Sequence, residues 1–207
     1  MPSPLSVQKN NYLKNPKNSS IETPSWLAEY ICQLVEYYFE YDDDLWVYDP
    51  AAGRGNLLLP FKQHGWSVRG SDIGENCPVT NNYFQSRFED IEEFSGPANV
   101  IVCNPPFNSA PGRKLYPEVF LRQIHKLFGN EIPVVMIAPM GLLLNQRLKS
   151  ARWRYLRDNW ELSSILSLSI DTFKKDDGSP VLFHAEVLFF NFLGLKPHYF
   201  LPESILP

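Results

Sequence analysis

The residues of this chain with the most specific chemistry are Asn104-Pro105-Pro106-Phe107. The Asn side-chain carbonyl and the Pro105 carbonyl can together accept both hydrogens of an –NH2 group, and Phe107 offers a flat face for a ring. The tetrapeptide follows Asn99-Val100-Ile101-Val102-Cys103, a short apolar run that reads as a buried strand. Proline cannot continue a central strand, so Pro105 and Pro106 make a stiff loop at the strand's carboxyl end. In open α/β sheets that edge is where ligands bind. Such a loop suits the gripping of a flat molecule that carries an amino group. An ordinary Pro-Pro turn is the alternative, and the rest of the chain decides between them.

A second constellation, Asp49-Pro50-Ala51-Ala52-Gly53-Arg54-Gly55-Asn56, follows the apolar run Leu45–Tyr48 and opens a helical pattern. Its glycines let the backbone turn tightly and approach a ligand closely, with a helix N-terminus behind. The spacing is not G-x-G-x-x-G, which argues against a dinucleotide pyrophosphate, and the absence of G-K-[ST] excludes a P-loop. A nucleoside-type ligand without phosphate remains, with an acidic residue meeting a positive group. Asp72, in Asp72-Ile73, lies 17 residues beyond Gly55 at the end of the next strand. This architecture places a carboxylate there for ribose hydroxyls. Asp90 could accept from an adenine amino group with Ile91 packed on the ring, although Glu89, Glu92 and Glu93 crowd the same stretch.

These loops need a scaffold. A length of 207 residues with 44% hydrophobic and 14% aromatic content fits one large globular domain. Residues 1–20, rich in Asn, Lys, Pro and Ser, read as a flexible N-terminal arm, and 21–207 as a single domain. Thr23-Pro24 reads as N-cap and first residue of a helix whose apolar stripe runs through Trp26, Leu27, Tyr30, Ile31, Leu34 and Val35. Strands are expected at Leu45–Tyr48, Ser67–Ser71, Tyr83–Gln85, Asn99–Cys103, Val134–Ala138, Ile165–Leu168 and Val181–Phe192. Helices are expected at about Asn56–His64, Pro117–Phe128 and Arg147–Trp160. The alternation predicts an α/β fold, a mostly parallel seven-stranded sheet with an antiparallel last strand and helices on both faces.

No apolar stretch reaches membrane-span length, and Met1-Pro2-Ser3-Pro4 does not begin a signal peptide. Cys32, Cys77 and Cys103 have neither metal spacing nor a disulfide framework, so reduced thiols, a cytoplasmic location and no metal are expected. The net charge is −4, but residues 113–157 hold nine Lys/Arg against Glu118 and Glu131, a local +7 on a remainder of −11. That is a candidate phosphate-facing surface; solvated helix faces are the alternative.

With both loops in order at strand ends, the chain resembles the S-adenosylmethionine-dependent adenine-N6 DNA methyltransferases over about residues 21–192. Asp49–Asn56 is similar to their cofactor loop, Asn104–Phe107 to their catalytic loop, and Thr23-Pro24 to the element that touches the methionine end of the cofactor. The resemblance implies a Rossmann-like class I methyltransferase fold with S-adenosyl-L-methionine as cofactor. It also implies methylation of the adenine N6 amino group in DNA, as in restriction-modification. Asn104 and the Pro105 carbonyl would hold the amino group, and Phe107 would stack on a base flipped from the duplex. Asn108–Leu115 could be a loop over the substrate, with Arg113 and Lys114 on phosphate, or a plain surface loop. Arg152, Arg154 and Arg157 could track a nucleic-acid backbone, while the interleaved Trp153, Tyr155 and Trp160 fit a core face better. His184 and Glu186 read as structural.

Relatives of this subgroup usually carry a separate target-recognition domain, and none is expected in this chain. Recognition could come from a separate specificity subunit, methylation could be promiscuous, or the substrate could be RNA adenine or protein glutamine. A non-catalytic cofactor-binding subunit is the remaining alternative.

Overall fold

The computed structural model describes residues 21–39, 44–107, 114–144, 146–175 and 178–205. The N-terminal arm, Arg113 and the Asp176-Asp177 turn lie outside them. Helices are α1 (Ser25–Phe39), α2 (Leu58–Gln63), α3 (Tyr116–Phe128) and α4 (Ala151–Asn159). Strands are β1 (Trp46–Asp49), β2 (Ser67–Asp72), β3 (Tyr83–Gln85), β4 (Val100–Cys103), β5 (Val134–Pro139), β6 (Leu162–Ser167), β7 (Ala185–Phe190) and β8 (His198–Phe200). They form one sheet in the order β3-β2-β1-β4-β5-β7-β6-β8. Neighbours from β3 through β5 are parallel, β7 runs antiparallel to both β5 and β6, and β8 lies parallel to β6.

Strand alternation sorts the core into two layers. Val47, Val100, Val102, Val135, Ile137, Val187 and Phe189 pack beneath α1 and α2. Tyr48, Ile101, Cys103, Val134, Met136, Leu188 and Phe190 pack beneath α3 and α4. Because both faces are covered, the central strands read as unbroken apolar runs. The parallel strands all deliver their carboxyl ends, and the loops that follow, to one edge.

Three expectations change. The sheet has eight strands, not seven, because β8 adds beside β6; the reversed strand is β7, within the Val181–Phe192 run expected to reverse. The Val181–Phe192 run narrows to Ala185–Phe190 because its first residues pair elsewhere. Val181 N–H donates to Phe173 O (2.8 Å) and Phe183 N–H to Ile170 O (3.3 Å), folding that segment back on the preceding turn. Arg147–Trp160 shortens to Ala151–Asn159, since Ser150 caps the helix by accepting from Trp153 N–H at 3.1 Å.

Candidate active site

The loops after β1, β2, β3 and β4 enclose a cleft of about 460 Å³. Asp49 closes β1 almost fully buried, and its Oδ1 accepts from Ala51 N–H at 2.8 Å. Gly53, at φ +48°, donates its N–H to Asp72 Oδ2 at 3.0 Å, so the β2 carboxylate holds the β1 loop in its turn. Asp72 Oδ1 also accepts from Gly74 N–H at 3.0 Å. Gly55 sits at φ +87°, and a Cβ there would come within 2.5 Å of Val79 Cγ2. No other residue fits without displacing that neighbour.

The lining is acidic. Glu22, Asp49, Asp72 and Glu89 face the cleft, and no Lys, Arg or His lines it among the described residues. Burial pushes the Asp49 carboxyl well above its ordinary value, with Asp72 and Glu22 adding to the shift. A positive charge near these groups would be rewarded, and a phosphate repelled. Ile73, Phe88, Pro106, Tyr116 and Phe120 supply apolar wall on which a flat ring can lie.

Asn104 stands at the rim of this cleft. Its Nδ2 donates to Ile21 O (3.0 Å) and to Thr23 Oγ1 (3.2 Å). Both amide hydrogens are thereby used, and among the described residues Oδ1 has no donor. The orientation follows from the hydrogen-bond network. Thr23 is not the helix N-cap that its position before Pro24 suggested; it is 3% exposed and its hydroxyl oxygen accepts from Asn104 Nδ2. Pro24 contributes the carbonyl that receives Ala28 N–H at 2.9 Å. Asn56 Nδ2 donates to Thr23 O at 3.1 Å, so residues 21–23 strap the cofactor-type loop to the Asn-Pro-Pro-Phe loop.

Of the expected site residues, Thr23, Asp49, Pro50, Ala51, Gly53, Asn56, Asp72, Ile73, Asn104 and Pro106 line the cleft. Gly55 braces the loop from behind, Pro24 immediately precedes α1, and Pro105 is buried. Asp90 and Ile91 do not line it. A turn of 3-10 helix at Phe88–Asp90 directs Asp90 outward to Arg87 Nε (3.5 Å) and sinks Ile91 into the core. Ser86, Phe88 and Glu89 occupy the wall instead. Phe107 lies apart from the cleft, its ring 4.6 Å from Phe183 and 6.4 Å from Phe173. Lys114 is exposed just before α3. Arg152 Nε donates to Glu118 Oε2 at 2.8 Å and Arg157 Nε to Asp158 Oδ1 at 2.6 Å, while Arg154 is exposed. Trp160 is buried and Tyr155 packs against α3, as a core face requires. Sequence reasoning missed Glu22 and Tyr116; adjacency to Thr23-Pro24 was the available signal for the first.

No family model matches this chain, and no curated protein does. Among solved structures, a protein from Listeria monocytogenes assigned to the class I S-adenosylmethionine-dependent methyltransferases superposes with a TM-score of 0.64 at 15% identity, covering 89% of this chain and 66% of its own. The methyltransferase subunit of a type I restriction-modification system from Streptococcus thermophilus gives 0.65 at 16%, covering 87% and 47%. A modification subunit assigned to a type I restriction enzyme of Vibrio vulnificus gives 0.61 at 16%, covering 97% and 51%. The chain therefore spans between 47% and 66% of the length of these proteins. The order and direction of the strands, with helices on both faces, are those of the class I S-adenosylmethionine-dependent methyltransferase fold, and that is the fold of this chain.

Proposed function

We propose that the chain binds S-adenosyl-L-methionine in the acidic cleft and methylates the exocyclic N6 amino group of adenine in DNA. The observation that carries this reading is the Asn104 amide in the cleft lining, with its nitrogen pinned and its oxygen unengaged among the described residues. The carboxylates Glu22, Asp49 and Asp72 suit a ligand with a sulfonium and an ammonium group, and the apolar wall suits its adenine ring. When bound, that cofactor supplies a methyl group on a positively charged sulfur.

Asn104 Oδ1 and the Pro105 carbonyl accept the two hydrogens of the substrate amine. An aromatic amine is a poor nucleophile because its lone pair is delocalised into the ring; two aligned acceptors favour a more pyramidal nitrogen. Orientation and electrostatics carry the rate, since the proton can leave after methyl transfer and no strong base is required. Phe107, backed by Phe183, offers the stacking face for a flipped base. The likeness to type I modification subunits supports a DNA substrate and a separate specificity subunit as partner.

The test is transfer from labelled S-adenosyl-L-methionine to duplex DNA, single-stranded DNA, RNA and cell protein in parallel, followed by nucleoside digestion. Label in N6-methyladenine from DNA is the expected result. Label confined to RNA or protein moves the enzyme to another amino-group substrate, and cofactor binding with no label in any polymer makes it a non-catalytic subunit.

A further inference from the structure

On the far flank of the α1–α2 pair lies a cluster that the methyl-transfer reading does not use. Cys32 and Glu36 stand one helical turn apart on α1, and His64 caps the C-terminal end of α2. We propose that Cys32, Glu36 and His64 form a site for a divalent transition metal of the zinc class, joining α1 to α2. Their ligand atoms lie within 4.8 Å of one another. Bonds of about 2.0–2.3 Å to a tetrahedral ion require ligand separations of roughly 3.3–3.8 Å. The Glu36 side chain is about a third exposed and can make that adjustment.

The surroundings are those of a built site. His64 Nδ1 faces Glu36 Oε2 at 2.8 Å, while the other ring nitrogen, Nε2, faces Glu29 Oε1 at 3.3 Å. Gln33 Nε2 in turn holds Glu29 Oε1 at 3.0 Å. With the metal on Nδ1, Nε2–H donates to Glu29, the carboxylate–imidazole pairing that orients histidine ligands. Sulfur, nitrogen and carboxylate together select zinc-like ions over magnesium or calcium. Binding of a dication displaces the Cys32 thiol proton, and any proton on His64 Nδ1, to solvent. Cys32 supplies its sulfur from the buried side, and the carboxylate and imidazole, each about a third exposed, leave the solvent side for entry and for a water as fourth ligand. None of these residues lines the cleft. The site's role is structural: α1 carries the 21–23 strap and α2 follows the β1 loop, so the metal ties the two supports of the cleft together.

No metal spacing is visible among the cysteines, because the third ligand is a histidine that only the fold brings near. The experiment uses the full chain, stripped with a chelator and titrated with Co2+ and then Zn2+. A thiolate-to-cobalt charge-transfer band saturating at one equivalent, displaced by zinc, and a rise of several degrees in Tm with zinc are expected. Cys32→Ser should lose the band, and Glu29→Gln should keep it with affinity about 10- to 100-fold weaker. His64→Asn, on a residue partly at the surface, checks the site should Cys32→Ser fail to fold. No band at micromolar Co2+, a band that survives His64→Asn, or zinc binding without a Tm shift overturns the proposal. The readouts are independent of methyl transfer, so they fail or succeed separately from it.

Discussion

Two polar side chains, one half-buried and one buried, have opposite consequences. Asn104 is half-buried with its amide nitrogen fully used, so replacing it removes an acceptor that no neighbour can supply. Asn104→Ala is expected to lower kcat by about 10²–10³, the scale of one lost transition-state hydrogen-bond partner, while cofactor affinity stays within a few-fold. Turnover and equilibrium binding measured on the same preparation check this; near-native kcat would remove Asn104 from the mechanism. Glu186 is the reverse case. It lies on β7 opposite Ala138 and Ser167, 6% exposed, and its Oε1 has no hydrogen-bond partner among the described residues. Burial pushes its carboxyl above the ordinary 4.5. The folded chain therefore holds this proton to higher pH than the unfolded chain, and stability falls as pH rises from the unfolded value through the folded one. Glu186→Gln should abolish that fall and raise Tm at neutral pH by about 2–4 °C, the effect of roughly 1 kcal/mol in a chain of this size. Melting curves from pH 4 to 8 on both proteins test it, and parallel curves would refute it.

At the scale of elements, the strap at residues 21–23 couples two loops that are distant in sequence. Thr23 O receives Asn56 from one loop and Thr23 Oγ1 receives Asn104 from the other. Thr23→Val keeps the shape and the backbone bond but deletes the hydroxyl, freeing the Asn104 amide to rotate. It should cost about tenfold in kcat, the equivalent of one hydrogen bond, with little change in cofactor Kd, and Thr23→Ser should restore the rate. Equal losses in kcat and cofactor binding would mean that Thr23 acts only on the cofactor. This contact also marks the limit of what the sequence discloses. Strands and both loops were legible because apolar runs end at glycine or proline, a local signal. The destination of the Thr23 hydroxyl was not, since its partner lies 81 residues away and a cap three residues ahead is the local alternative. Asp90 against Glu89 was likewise undecidable, because adjacent acids differ only in which way a 3-10 turn faces them. The Val181–Phe192 run promised one strand because continuous apolarity does not say where a ladder ends; Val181 and Phe183 instead hydrogen-bond back to Phe173 and Ile170, and only the pairing shows it.

Across the whole molecule the question is which cations can meet a polyanion. The basic segment at 113–157 is less available than its charge of +7 suggests. Glu118, 3% exposed, takes both Arg122 (3.0 Å) and Arg152 (2.8 Å), and Asp158 takes Arg157. Arg152 is thus committed to the α3–α4 interface, and removing it leaves a buried carboxylate with half its compensation. Lys114 and Arg154 are exposed, and Lys114 lies two residues before Tyr116, which with Phe120 walls the cleft. Neutralising Lys114 and Arg154 together should weaken DNA binding and reduce the slope of log K against log salt by about 2, as two lost phosphate contacts require, with Tm unchanged. Arg152→Ala should do the opposite, lowering Tm and leaving the salt slope alone. Anisotropy titrations at several salt concentrations, paired with melting curves, separate the two classes. If Arg152→Ala alone changed the slope, the ion pair with Glu118 would have to open on DNA, and α4 would be part of the interface after all.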